Sequence, residues 1–267
     1  IITEPDSLLS TYTTSASAND WNGYDIQCNG DDNGEITMDV TGGIDSLAYT
    51  YDIDGASNGS NIFSSLSEGT YVITATDANG CQTTQTVDMI APDSSVVLTY
   101  TQSNYNGVGV SCHGDTNGFI NTFVEGGVLD YSFLWSTGDT TPSIDTIGFG
   151  SYTVTVTDAN GCIDSETITV SEPDEYVSSY VITSINNSFG VSCNGSTDGS
   201  IDITVDGGTS PHSYLWSTGA TTEDLDSIGA GTYVITATDT NGCQTTQTVI
   251  ITEPDSLLST YTTSASA

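Results

Sequence analysis

The chain has 267 residues and carries 35 Asp and Glu but no Lys and no Arg, a formal charge of −35. With nothing positive to release counterions from a phosphate backbone, charge-driven nucleic-acid binding is excluded, and no run of eighteen apolar residues exists to be read as a membrane-spanning segment. The carboxylates lack cationic side chains to pair with and repel one another unless salt or metal cations neutralise them, while 14 Tyr and 3 Trp in regular apolar alternation argue against disorder.

Repeats organise everything else. Ile1 to Ala18 recurs unchanged as Ile250 to Ala267, and a Pro-Asp pair recurs at Pro5, Pro92, Pro173 and Pro254 in steps of 87, 81 and 81. The expected division is therefore a first repeat over 1–90, a second over 91–171, a third over 172–252, and the start of another over 253–267. The chain opens in mid-repeat without a Met, so it is read as a window of a longer protein whose targeting signals lie elsewhere.

Each repeat follows one plan. A strand such as Val96 to Thr101 comes first, then a Cys followed by turn residues, as in Cys28-Asn-Gly-Asp-Asp-Asn-Gly34. Alternating runs follow, Glu35 to Val40 or Ser200 to Val205, each ended by a Gly-Gly pair. Next come Tyr131 to Trp135 or Ser213 to Trp216, with Tyr51 in the same place in the first repeat. The clearest strands are Thr70 to Thr76, Ser151 to Thr157 and Thr232 to Thr238, each closed by Asp-x-Asn-Gly-Cys. A last strand, such as Ile163 to Val170, runs into Glu-Pro-Asp. Period-two alternation bounded by Gly, Asn and Asp is a strand signature, and no stretch has helical periodicity over three turns. Six or seven strands in about 80 residues predict an all-β chain of tandem Greek-key β-sandwiches resembling immunoglobulin-like modules.

One pair of cysteines per repeat predicts one disulfide within each module: Cys28 with Cys81, Cys112 with Cys162, and Cys193 with Cys243. Closing loops of 53, 50 and 50 residues contributes about 4 kcal/mol each through unfolded-state entropy, and such bonds persist outside the cytosol. Zinc on thiolates needs four ligands where each repeat offers two Cys. The expected bonds would bring two carboxylate-rich loops together in each module. Those loops hold Asp31, Asn33, Glu35, Asp77 and Asn79 in the first repeat. The second has Asp115, Asn117, Asp158 and Asn160, and the third has Asp198, Asp239 and Asn241, with Ser196 in place of a carboxylate. Calcium takes six to eight such oxygens, yet the twelve-residue calcium loop with its terminal Glu is absent, and Asp-x-Asn-Gly also makes good turns without metal. Both readings stay open at this stage.

Trp135, Trp216 and Tyr51 are expected in the core against the disulfide, with sugar stacking as the rival role. Trp21, in the lengthened segment before Cys28, has no counterpart in the sequence and is the candidate for an exposed aromatic contact. The recurring prolines fix φ and mark junctions too short for flexible linkers, so neighbouring modules should nearly touch. Catalysis finds little support: His113 and His212 recur in no other repeat, and without Lys or Arg neither a triad nor a phosphate clamp can be assembled.

The ordered set Cys-Asn-Gly-x-x-x-Gly-x-Ile, Gly-Gly, Tyr-x-Trp-Ser-Thr-Gly (Tyr214 to Gly219), Gly-x-Tyr-x-Val/Ile-Thr (Gly231 to Thr236), Thr-Asp-x-Asn-Gly-Cys and Glu-Pro resembles the SprB-repeat family, once per module. The first repeat departs from it, with Tyr51 for Trp and an insertion from Asp52 to Ser60. The resemblance implies very large surface adhesins of gliding and other Bacteroidetes, exported by type IX secretion. It also implies O-glycosylation at Asp-Ser/Thr-hydrophobic sites, here Ser7, Ser46, Thr146, Ser227 and Ser256. The expected role is a structural filament or stalk on the cell surface. The alternative is an adhesin region binding surface glycans or another ligand in attachment or gliding. Partners are neighbouring modules of the same chain and like chains in a filament.

Overall fold

A computed structural model describes residues 4, 6–16, 21–44, 49–184 and 188–261. Pro5 and Ser46 lie outside the described residues. By its internal contacts the chain forms two compact units. One comprises Ile1–Thr101, Asn121–Ser143 and Tyr152–Ile168; the other comprises Gln102–Ile120, Ile144–Ser151 and Thr169–Ala267. The division runs through the second repeat, so the two units do not coincide with the three sequence repeats.

In the first unit, the first repeat builds β1 (Leu9–Thr14), β2 (Gly34–Thr41), β3 (Thr50–Ile53), β4 (Ala56–Asn58), β5 (Ile62–Leu66), β6 (Gly69–Thr76) and β7 (Gln82–Met89). They form two antiparallel sheets, ordered β1-β2-β5 and β4-β3-β6-β7. The alternation of the sequence drives this arrangement. Ile36 and Met38 of β2 and Ile73 and Ala75 of β6 are fully buried, while their neighbours Glu35, Asp39 and Val72 face out. Ile26, Phe63, Val87 and Met89 complete the core, each full burial contributing about 1.5–3 kcal/mol. The outer faces of β6 and β7 are studded with threonines, and the Thr74 and Thr84 hydroxyls pair across the strands at 3.3 Å. β1 is tied to the opposite sheet where the Ser10 and Thr83 hydroxyls meet at 2.8 Å and the Gln85 amide donates to the Ser10 carbonyl at 2.9 Å.

The second repeat contains β8 (Val97–Gln102), β9 (Gly118–Glu125), β10 (Ser132–Trp135), β11 (Ser143–Ile147), β12 (Gly150–Thr157) and β13 (Ile163–Val170), in sheets ordered β11-β9-β8 and β10-β12-β13. In the second unit, the third repeat builds β14 (Val177–Ile182), β15 (Gly199–Asp206), β16 (Ser213–Trp216), β17 (Leu225–Ile228), β18 (Gly231–Thr238) and β19 (Gln244–Ile251), ordered β14-β15-β17 and β16-β18-β19. Its core is Val191, Ile201, Ile203, Trp216, Leu225, Ile235, Val249 and Ile251. The repeats are thus Greek-key β-sandwiches of immunoglobulin type. In the first, β4 is added as a hairpin on β3 by the Asp52 to Ser60 insertion.

The cysteine pairing differs from the sequence expectation. Cys28 is bonded to Cys162 and Cys112 to Cys243, each with Cα atoms 5.7 Å apart, while Cys81 and Cys193 are free and exposed. The pairs Cys28–Cys81, Cys112–Cys162 and Cys193–Cys243 do not form. Strand parity explains why. In the first repeat Cys28 precedes β2, whose first residue Gly34 pairs with Leu66 at the end of β5. From that pole the chain runs up β2, back down through β3 and β5, and up β6 before reaching Cys81. Three traverses leave the two sulfurs at opposite poles. The eight residues of β2 span roughly 26 Å, whereas a disulfide needs Cα atoms within about 7 Å.

Candidate functional site

At one pole of each sandwich stands the Asp-x-Asn-Gly-Cys turn. Asp158 is buried. Its Oδ1 accepts the N–H groups of Asn160 and Cys162 at 2.9 and 2.8 Å, and its Oδ2 accepts the Val128 N–H at 2.8 Å, pinning the turn to the Gly126-Gly127 corner. Asp77 does the same with Asn79, Cys81 and Ile44, and Asp239 with Cys243 and Thr209. In Asp77 the donors favour the ionised carboxylate: the Ile44 N–H first, then that of Cys81, hold it below the usual carboxylate range. The corner needs glycine. Gly42 has φ near +84°, and a Cβ there would collide with the Ser7 carbonyl.

At the other pole, the loop after the first Cys folds back on itself. Asn33 Oδ1 accepts the Gln27 N–H at 3.1 Å, Asn117 Oδ1 the Ser111 N–H at 3.1 Å, and Asp198 Oδ1 the Ser192 N–H at 3.0 Å. The next residue after Cys reaches the Pro of Pro-Asp: the Asn29 amide donates to the Pro92 carbonyl at 2.9 Å and that of Asn194 to Pro254 at 3.2 Å, with His113 Nδ1 3.2 Å from the Pro173 carbonyl.

Within each unit the two kinds of pole meet. In the first unit the Asn160 amide donates to the carbonyls of Trp21 and Gln27 at 3.3 and 3.1 Å, and its Oδ1 accepts from Asn22 at 2.6 Å. Asn160 is only 6% exposed, so these bonds fill a closed site. Beside it the Cys28–Cys162 bond closes the joint, and Cys162 Sγ lies 3.4 Å from the Gln27 carbonyl. The second unit repeats this. The Asn241 amide donates to the carbonyls of Tyr105 and Ser111 at 3.2 and 3.1 Å, its Oδ1 accepts from Asn106 at 2.6 Å, and Cys112–Cys243 closes the joint. Each joint is a neutral amide plug donating to two backbone carbonyls, backed by sulfur.

This geometry corrects several sequence readings. The carboxylate loops brought together belong to successive repeats. Asp31, Asn33 and Glu35 therefore stand at the pole opposite Asp77 and Asn79, and Asp198 opposite Asp239 and Asn241. Asp31 and Asp115 accept hydrogen bonds within their own loops, from Asn33 at 3.2 Å and from the Ser111 hydroxyl at 2.6 Å. Among the described residues no three of His, Cys, Asp and Glu converge on one point.

Trp135 and Trp216 are buried, each donating its indole N–H to a carbonyl, of Thr141 and Thr222, at 2.8 and 2.9 Å. The core around Trp216 contains no cysteine, since the sulfurs sit at the poles. Tyr51 is half-buried on the first core, its ring edge-on to Tyr49. Trp21 does have a counterpart: it bridges to Tyr24 as Tyr105 bridges to Val108, and both offer their carbonyls to the plug. Ser7, Thr146, Ser227 and Ser256 are exposed, and Thr146 and Ser227 have φ of 56° and 59°. The residues that receive the plug, Asn22, Asn106, Gln27 and Ser111, were missed from sequence. The signal was present, since Asn22 and Asn106 stand six residues before the first Cys of their repeats.

Small sandwiches joined in series by disulfides define a class, the extracellular tandem-repeat protein, since such bonds are kept in oxidising surroundings. Residues 24–58 and 190–221 match the model of the SprB-repeat family. No curated protein matches the sequence. Among solved structures the chain is similar to the N-terminal eight Ig domains of Down syndrome cell adhesion molecule isoform 1.30.30. That likeness has 13% identity and a TM-score of 0.38 over 83% of this chain, which spans 34% of that one. It is similar also to a bacterial ice-binding adhesin of 1.5 MDa, with 15% identity, a TM-score of 0.37, and coverage of 94% of this chain and 98% of that one. A tetra-tandem repeat from the extending region of a large adhesion protein shares 16% identity, with a TM-score of 0.26 and coverage of 86% and 72%.

Proposed function

We propose that this chain is a load-bearing repeat region of an extracellular surface filament or stalk, giving reach and mechanical strength. The observation that carries this reading is the covalent joint: Cys28–Cys162 and Cys112–Cys243 each tie one repeat to the next, in addition to the peptide link. A binding module has no need of a second covalent connection to its neighbour, whereas a strut under tension does. The three-repeat division at 1–90, 91–171 and 172–252 belongs to this reading, as does O-glycosylation of the exposed Asp-Ser/Thr sites. Trp21, the main local hint of a ligand-binding adhesin, offers its backbone carbonyl to the joint. Antibody raised against the chain should label thin threads on the outside of intact cells that make it, as seen by electron microscopy. Label confined to the cell interior, or to compact particles, would refute the proposal.

A further inference from the structure

The free cysteines follow from the bonding rule. In both disulfides the first Cys of one repeat bonds the second Cys of the next. Applied to all six positions, the rule leaves Cys193, a first-position sulfur, and Cys81, a second-position sulfur. Both are exposed, while the bonded second-position sulfurs, Cys162 and Cys243, are buried.

Among the described residues, parts of each half-joint are formed around them. On the plug side, Asp77 Oδ1 holds the N–H groups of Asn79 and Cys81 at 3.0 and 2.8 Å, as Asp158 holds those of Asn160 and Cys162 at 2.9 and 2.8 Å. Yet Asn79 is exposed where Asn160 is buried. On the socket side, Asp198 fixes the Ser192 N–H and Asn194 grips the Pro254 carbonyl, as Asn117 and His113 do in the completed joint. A cavity of about 420 Å³ lies there, lined by Ser192, Cys193, Asn194, Pro254 and Leu257 among others. Its counterpart in the first unit, about 410 Å³, is lined by Cys28 and Cys162 among others. The residues following this socket, Ile250 to Ala267, are identical to those that open the first repeat, Ile1 to Ala18. The module that fits the socket is therefore a first repeat.

We infer that Cys193 of one copy of this repeat block forms a disulfide with Cys81 of another, with the Asn79 amide donating to the Ser192 carbonyl. This deepens the filament reading and rests on it. The step is thiol–disulfide exchange. Two thiols give up two protons and two electrons to a small-molecule disulfide, which leaves as two thiols, and one sulfur–sulfur bond joins the blocks. The copies stand either in sequence along one polypeptide or on separate chains, and the chemistry is the same.

The test uses the 267-residue chain in a glutathione redox buffer, run without reducing agent. Wild type should form a ladder of reducible oligomers. Cys81→Ser and Cys193→Ser should each remain mostly monomeric alone. Mixed in equal amounts they should form a heterodimer, exceeding either homodimer by about tenfold, the ratio given by roughly 1.4 kcal/mol of docking. Mass spectrometry of an Asp/Glu-specific digest should find Cys81 linked to Cys193. Native protein distinguishes the sources: the same linked peptide in material that keeps its size on reduction places the copies on one polypeptide, and in material that falls apart, on separate chains. Homodimers as abundant as heterodimer, or no cross-linking, would overturn the inference while leaving Cys28–Cys162 and Cys112–Cys243 intact. Loss of those two bonds in the same digest would instead strike the filament reading.

Discussion

Pulling the chain by its two ends measures its disulfide topology directly. The two bonds interleave, so the shortest covalent path runs from Ile1 to Cys28, across to Cys162, back along the chain to Cys112, across to Cys243 and on to Ala267. That path contains about 100 residues, so the fully stretched oxidised chain should reach only roughly 350 Å at 3.3–3.6 Å per residue. Reduction frees all 267 residues and raises the limit to roughly 900 Å. The decisive variant is the double substitution Cys81→Ser, Cys193→Ser. It removes sulfurs that take no part in either bond, so the limit should stay at roughly 350 Å. Pairing within repeats would lose two of its three bonds in this variant and stretch to roughly 750 Å. Optical-tweezers traces of the variant, with and without reductant, decide the matter, and the longer limit before reduction would refute the topology.

Replacing Asn160 with Ala strands the carbonyls of Trp21 and Gln27 in a closed site and should cost about 2 kcal/mol in a denaturant titration. The exposed equivalent, Asn79→Ala, should cost under about 0.5 kcal/mol; equal costs would mean that Asn160 is not a plug. Asp77 has a folded-state pKa below its ordinary value, from the Ile44 and Cys81 N–H groups. Its stabilisation is thus fully present above the ordinary carboxylate range and lost as pH falls through the lowered value. The gap in melting temperature between wild type and Asp77→Asn should therefore be wide at neutral pH and close below about pH 4, and a gap independent of pH would contradict this. Because Asp77, Asp115, Asp158 and Asp239 are engaged by N–H and O–H donors, a chelator should leave the melting temperature unchanged; a fall of several degrees would show calcium bound at the loops.

Much of the fold was legible because strand periodicity is local. Thr70 to Thr76 alternates in sequence and in burial, with Ile73 and Ala75 inward and Val72 outward. The disulfide partners were not legible by counting cysteines, because an even pair per repeat fits local closure and relay bonding equally well. What separates the two is how many times the chain crosses the sandwich between Cys28 and Cys81, a property of strand order. The turn chemistry was legible in kind: Asp-x-Asn-Gly-Cys reads as a turn, and Asp77 serves one. That Asn160 would leave its own module and bond the Trp21 and Gln27 carbonyls of the preceding one depends on two repeats meeting, which no single repeat encodes.

The charge of the chain explains why the joints are built as they are. With 35 acidic groups and no Lys or Arg, successive repeats repel each other and no ion pair with a basic residue is available to hold them together. Any joint relying on exposed charges would also weaken and strengthen with salt. An uncharged amide bonded to backbone carbonyls is nearly indifferent to ionic strength, and a sulfur–sulfur bond wholly so. Closing a loop of 134 residues also contributes roughly 5 kcal/mol by restricting the unfolded chain, more than closure within one repeat would supply. The same absence of Lys and Arg leaves no site for a trypsin-like protease. The acidic surface thus keeps molecules apart from one another, while neutral contacts and sulfur hold successive repeats together.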